Sequence, residues 1–320
     1  MRPAPVPLPR LSLILLTLNG GPVLSETLAA VAAQERDTPA GRLPTPEIVA
    51  IDSGSTDDTP ARLAVHGITP ERIAPEAFSH GGTRNLGARL AQGEWLIYLS
   101  QDAVPAHNRW LVNLTRHLLN PQVAAAFGRQ LPPRSVGPIE TYFLEQTYPP
   151  RGFTHAPTAP DDAGHSIRRI FFSNVNAVIR KSVWAECPFP EDLIMSEDQA
   201  FARAALAAGY QIVYDPEAGV YHGHRYSLGR LFRRNFDSGY SLRGIAGDGW
   251  GAVARMGLAY VGGELRYLAR QGRWLTMPYA LMYELVKAAG FAAGRSGHRL
   301  PAGLRPRLSL HRRYWARPHA

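Results

Sequence analysis

Three short apolar runs, Leu11–Thr17, Glu47–Ile51 and Trp95–Leu99, each stop at polar residues, and a stretch with helical spacing follows each. Such runs are the right length for buried strands and too short for helices. Between them, Val23–Ala33 places Leu24, Leu28 and Val31 on one face of a helix. Asp57–Ala64 predicts a short helix, Arg72–Ala74 a weak strand, and Thr83–Gln92 a longer helix stopped by Gly93. Arg109–Leu119 repeats the helical spacing with Leu111, Leu114 and Leu118, and Val123–Phe127 is a further strand. Strands alternating with helices require parallel crossovers, which predicts an α/β fold with a doubly wound, mostly parallel central sheet. Ligands of such sheets lie outside the carboxyl ends of the strands. Asn19, Asp52 and Asp102, just after three of the strands, are therefore the first residues to examine.

The same alternation divides the chain. Residues 1–9 hold four prolines and are expected to form a loose tail. Residues 10–226 form the main domain, interrupted from Leu131 to Arg169 by long loops around a helix near Ile139–Gln146, with Asp161-Asp162 among them. Ile170–Phe172, Gln211–Tyr214 and Gly219–Tyr221 are expected strands, and Glu197–Ala208 a helix. Residues 227–320 change character to a helical, basic and aromatic region, with helices expected at Leu231–Tyr240, Val253–Arg270 and Tyr279–Ala289.

Composition narrows the function classes. Hydrophobic residues make up 45% of the chain and charged residues 19%, enough apolar material to exclude a disordered or fibrous protein. The formal net charge is +9, and Lys181 and Lys287 are the only lysines. A surplus of arginine asks for an anionic partner: nucleic acid, a phosphate-bearing substrate or a membrane surface. The arginines are dispersed and no nucleic-acid-binding signature accompanies them, so no nucleic acid is expected. The lone Cys187 excludes a disulfide framework. Leu11–Leu18 lacks the small-residue cleavage pattern of a signal peptide, and no segment reaches the roughly 18 apolar residues of a membrane span. The expectation is a cytoplasmic chain.

Five constellations could carry chemistry, each with a plain structural alternative. Asp52-Ser53-Gly54-Ser55-Thr56-Asp57 at a strand end suits a base or ribose, or is a turn that caps the next helix. Gly81-Gly82-Thr83-Arg84-Asn85 would leave free N–H groups and a guanidinium for an anion, or is an exposed loop. Ser100-Gln101-Asp102 offers a carboxylate for a divalent cation, or a turn residue. Glu197-Asp198 is either a general base in a cleft or a pair of acids favoured by a helix start. His222 and His224, if extended, point to one side and could join a metal, or are structural.

Taken in order, these pieces resemble the inverting family-2 glycosyltransferases of the GT-A fold, and most closely the bacterial rhamnosyltransferase-like members. The resemblance rests on Thr17-Leu18-Asn19, Ile51–Asp57, His80–Gly87, Leu99–Ala103, Phe171-Phe172-Ser173-Asn174, Glu197-Asp198 and Tyr214–His224. It implies a nucleotide-sugar donor, dTDP- or UDP-linked, bound by Thr17, Asn19, Asp52, Ser55, Arg84, Asn85, Gln101 and Glu197. It further implies Mg²⁺ or Mn²⁺ at Asp102, His222 and His224, and Asp198 as catalytic base. Ser100 stands where many relatives carry the first acid of Asp-x-Asp. The acceptor implied is a saccharide or a polyprenyl-linked saccharide in surface polysaccharide synthesis. Separately, the basic, aromatic C-terminal helices could make peripheral contact with an anionic membrane, or pack on the main domain and show their arginines to water. A nucleotidyltransferase on a similar sheet is the rival enzyme class, and the chain lacks the glycine-rich basic loop near the first strand that such enzymes tend to have.

Overall fold

A computed structural model describes residues 8–158 and 166–316. Most of the expected N-terminal tail and the Asp161-Asp162 pair lie outside the described residues. Six longer strands carry the fold: β1 (Leu11–Thr17), β2 (Glu47–Asp52), β3 (Trp95–Ser100), β4 (Val123–Leu131), β5 (Asn176–Arg180) and β6 (Gln211–Tyr221). They line up in the order β2-β1-β3-β5-β4-β6, with short strands at both edges. β1 runs parallel to both neighbours, with Thr17 beside Asp52 and Leu16 beside Ser100, so the three carboxyl ends finish level. That alignment gathers the polar strand-end residues along one rim.

The sheet alternates its side chains between two apolar layers, as strand pleating requires. Leu13, Leu15, Ile97 and Leu99 pack beneath α1 (Gly21–Ala32), α2 (Thr59–Val65) and α4 (Trp110–Thr115). Ile14, Leu96 and Tyr98 face the other way, toward α3 (His80–Leu90) and α7 (Glu197–Ala207). α5 (Pro138–Thr147) sits beyond β4, and α6 (Lys181–Glu186) follows β5.

Three expectations are corrected. Ile170–Phe172 is not a strand; the chain turns there, and the strand comes at Asn176–Arg180, inserted antiparallel between β3 and β4. The two strands expected at Gln211–Tyr214 and Gly219–Tyr221 are one strand, β6, whose register shifts between Asp215 and Val220. Pro216 within that interval cannot donate to the ladder, which fits a bulge. Gly81 and Gly82 lie inside the first turn of α3, not before it.

The C-terminal region is helical, as expected: α8 (Leu228–Leu242), α9 (Trp250–Arg270) and α10 (Met277–Arg295). α8 and α10 cross at backbone distance, because a Cβ on Gly294 would fall 1.9 Å from the Phe236 carbonyl oxygen. Among the described residues no helix is long and apolar enough to cross a membrane.

Candidate active site

The level strand ends, the start of α7, the end of β6, α5, α8 and α10 enclose a cavity of about 650 Å³. Two non-glycine residues with left-handed backbone, Asn19 (φ 48°) and Ser196 (φ 68°), stand at its margins. Such conformations cost energy and persist where the surroundings hold them, often at functional sites. Ser196 immediately precedes Glu197 and Asp198 and sets the angle at which α7 begins.

The loop after β2 is built around Asp52. Its carboxylate is buried and accepts from Thr17 Oγ1 at 3.1 Å, Gly54 N at 3.1 Å, and the N–H and hydroxyl of Ser55 at 2.9 and 2.5 Å. Burial alone would push the carboxyl up; these hydrogen bonds outweigh it and hold it below the usual carboxylate range. Asp52 thus organises the turn, with its carboxylate oxygens accepting from Thr17, Gly54 and Ser55. Ser55 in turn accepts from Asn19 N at 2.9 Å, and Asn19 Oδ1 accepts from Thr56 N at 2.9 Å. Gln101 clamps the neighbouring loop, accepting from Leu18 N and donating to Leu18 O, both at 3.0 Å. Thr17, Leu18, Ser53 and Gln101 face the cavity, and Asp52 stands behind them.

Ser79 Oγ caps α3 by accepting from Gly82 N at 3.1 Å, and the Gly81 backbone lies so close to Pro190 that a Cβ would sit 1.9 Å from its carbonyl oxygen. The helix start is therefore covered, not an open anion cradle. Asn85 is buried and fully employed: its amide donates to Phe189 O and Glu191 Oε1 and accepts from Trp184 Nε1 and Phe189 N. It fastens α3 to the segment before α7 and does not reach the cavity. Arg84 does line the cavity, but its guanidinium is committed to a buried ion pair with Glu197. Glu197 is the other half of that pair.

The structure brings Asp102, His222 and His224 together. One ligand atom from each lies within 4.8 Å of the others. His222 Nε2 is 3.5 Å from Asp102 Oδ1, and His224 Nε2 is 3.6 Å from Asp102 Oδ2. Both histidines follow directly on β6, and the two rings flank the same carboxylate. His222 Nδ1 donates to Gln130 Oε1 at 2.9 Å. In the neutral ring this hydrogen bond leaves the Nε2 lone pair facing a carboxylate oxygen, an arrangement relieved by a cation between them. His224 is held below its usual pKa by burial, then by the neighbouring His222, Arg234 and Arg230, with Asp102 opposing, and the neutral imidazole is the metal-binding form. Asp102 remains ionised: burial pushes it up, and His222 and His224 outweigh that. One carboxylate and two imidazoles thus fit a divalent cation that takes further ligands from phosphate oxygens.

Asp198 lies on the same cavity. Its carboxylate accepts from Gln199 N at 2.9 Å and, more weakly, from Asn174 N at 3.4 Å. Loss of water pushes its pKa to about 7, the Glu197 charge adds to the rise, and Arg84 opposes it. A carboxyl tuned near neutrality can exchange a proton with a substrate hydroxyl.

The cavity thus carries an Asp-His-His cluster, a carboxyl pushed up to about 7 at the start of α7, and a polar loop at the level strand ends. The pattern of glycosyl transferase family 2 matches residues 12–173. The chain belongs to this family. It is 30% identical over 312 residues to the O-antigen chain rhamnosyltransferase RfbN of Salmonella typhimurium, covering 96% of each chain. It is 29% identical over 313 residues to the O-antigen chain rhamnosyltransferase WbaN of Salmonella anatum, again covering 96% of each. Among solved structures it is similar to the mannosyltransferase PcManGT from Pyrobaculum calidifontis in complex with GDP-Man and Mn²⁺. That match has 19% identity and a TM-score of 0.60 over 91% of this chain and 88% of the other, and shows the GT-A fold.

As a family-2 glycosyltransferase, the chain has site features that sequence reasoning missed. Gln130 orients His222 from the penultimate position of β4, and nothing in its neighbourhood marks it. Arg234 on α8 lines the cavity, with its guanidinium 5.5 Å from the Tyr226 ring. The packing of α8 against α10 turns it toward the cavity. Tyr283, Glu284 and Lys287 bring α10 to the same cavity, so the C-terminal region contributes to the site.

Proposed function

We propose that this glycosyltransferase moves a 6-deoxyhexose such as rhamnose from a dTDP- or UDP-linked donor to a hydroxyl of a lipid-linked saccharide, with inversion at the anomeric carbon. The observation that carries the reading is the placement of Asp198 on the same cavity as the Asp102–His222–His224 cluster. Asp102, His222 and His224 would hold Mg²⁺ or Mn²⁺, which when bound neutralises charge on a diphosphate. Arg234 adds a cationic wall to the cavity. Asp198 accepts the proton of the attacking hydroxyl as the new bond forms opposite the departing diphosphate, so no covalent intermediate is needed. The sugar is favoured by the names of the Salmonella relatives. Turnover of a panel of dTDP-, UDP- and GDP-sugars tests the reading, and failure with every donor would refute it.

Since Asp198 must be ionised to act, the acidic limb of kcat/KM should rise with pH and level off above about 7, the value at which its carboxyl loses its proton. A profile already flat from pH 5.5 would count against Asp198 as the base.

The partition between domains supports a peripheral place at the inner face of the cytoplasmic membrane. Residues 10–226 would form the catalytic domain and 227–320 both complete it and carry the membrane contact. Leu275, at the turn between α9 and α10, is 97% exposed, Leu258 75% and Leu285 70%. Beyond Asp248 the only acids are Glu264 and Glu284, and both are buried, so this region presents only positive charge among apolar side chains. That combination suits an anionic bilayer surface. Leu275→Glu with Leu285→Glu is expected to reduce partitioning onto phosphatidylglycerol vesicles by about tenfold or more, since each change removes an apolar anchor and adds a repelled charge. Unchanged flotation would rule out this surface.

A further inference from the structure

The wall around Asp198 contains polar atoms that the protein leaves without partners. Asn174 is 2% exposed, and neither its Oδ1 nor its Nδ2 makes a hydrogen bond. Gln199 Oε1 is likewise buried and unpartnered. Both residues line the cavity. They flank the same carboxylate, because the backbone N–H groups of Asn174 and Gln199 are the two that point at Asp198. Unpaired amide groups shielded from water are costly, and buried polar groups are nearly always satisfied. Ser173 Oγ, beside Asn174 in the chain, accepts from Gln130 and Val175 N. The cavity that both residues line has room for a partner.

We infer that Asn174 and Gln199 form a subsite that reads sugar hydroxyls beside the general base. The inference rests on the glycosyltransferase reading and adds residues to it. A primary amide offers a donor and an acceptor in one plane, and the Gln199 carbonyl adds a second acceptor. A hydroxyl is both donor and acceptor, so two adjacent hydroxyls of a pyranose satisfy all three unpaired atoms. Those hydroxyls could belong to the transferred sugar or to the acceptor; the chemistry is the same, and kinetics separates the two. Polar groups held ready in this way discriminate strongly, because a substrate lacking the matching hydroxyl leaves them unpaired. Asn174 and Gln199 are positioning residues: they orient hydroxyls and exchange no proton.

Asn174→Leu provides the test, since leucine has a similar volume and no polar atoms. Two readouts should move in opposite directions. The ligand-free variant should melt higher than wild type, because a buried unpaired amide has been removed. Its kcat/KM, measured with the best donor from the panel, should fall about tenfold to a hundredfold, the loss expected for one or two hydrogen bonds to substrate. A rise confined to donor KM assigns the subsite to the transferred sugar, and a rise confined to acceptor KM assigns it to the acceptor. Gln199→Leu should repeat the kinetic effect more weakly. A variant that melts lower than wild type, or that melts higher with both KM values and kcat unchanged, overturns the inference. Wild-type protein inactive on every donor would refute the substrate reading instead, leaving the melting comparison to decide whether the amide is strained.

Discussion

Asp198→Asn should lower kcat by about a thousandfold, within the range that general base catalysis supplies, while leaving nucleotide-sugar affinity within about threefold of wild type. Asparagine keeps the size of the side chain and its capacity to accept from Gln199 N, so the start of α7 is preserved. What it cannot do is take the proton of an attacking hydroxyl. The burial that pushes the Asp198 carboxyl to about 7 also makes the neutral amide a good steric and electrostatic match for the protonated form. Pre-steady-state measurement of donor binding and transfer separates the two effects. A variant retaining a tenth or more of the wild-type kcat would remove Asp198 from the base role.

The second large effect concerns stability. Arg84→Met should destabilise the protein by about 3–5 kcal/mol, the usual consequence of removing one partner from a buried ion pair. The Arg84 side chain is 14% exposed and Glu197 only 5%, so water cannot replace the missing cation. The Glu197 charge would then lie uncompensated next to Asp198, and the Asp198 pKa should move higher, since Arg84 is the charge that opposes its rise. The acidic limb of the activity profile should accordingly shift toward higher pH. Combining Arg84→Met with Glu197→Gln should recover most of the lost stability, because both halves of the pair become neutral. Urea unfolding of the two single variants and the double variant measures the coupling. Equal destabilisation in the double and the Arg84 variant would mean that packing, not charge, dominates.

The sequence carried the strand-end logic well, because it depends on local pattern. Apolar runs ending in Thr17, Asp52 and Ser100 are visible as letters, and parallel pairing brings them to one rim without further information. That Asp102, His222 and His224 come together was legible for the same reason, the two histidines being spaced by one residue just past a strand. Other features depend on partners distant in the chain. Asn85 looks like a ligand-binding residue in sequence, and only the packing of Phe189, Trp184 and Glu191 around it shows that its amide is used. Arg84 meets Glu197 across 113 positions. β5 was missed because Asn176–Arg180 follows directly on an apolar turn, and hydrophobicity alone does not say where a turn ends and a strand begins. The inward direction of Arg234 follows from how α8 lies against α10, which no local spacing encodes.

In the proposed mechanism Asp102, His222 and His224 hold a divalent cation that ties the donor diphosphate to the enzyme. Calorimetric titration of a nucleoside diphosphate into wild type and His222→Ala, each in Mn²⁺ and in EDTA, tests it most directly. The account predicts that wild-type affinity falls at least about tenfold when the metal is removed, one metal–phosphate contact being worth 1.4 kcal/mol or more. It also predicts that His222→Ala in Mn²⁺ binds as weakly as wild type in EDTA. Equal affinity in Mn²⁺ and EDTA, with His222→Ala indistinguishable from wild type, would contradict it.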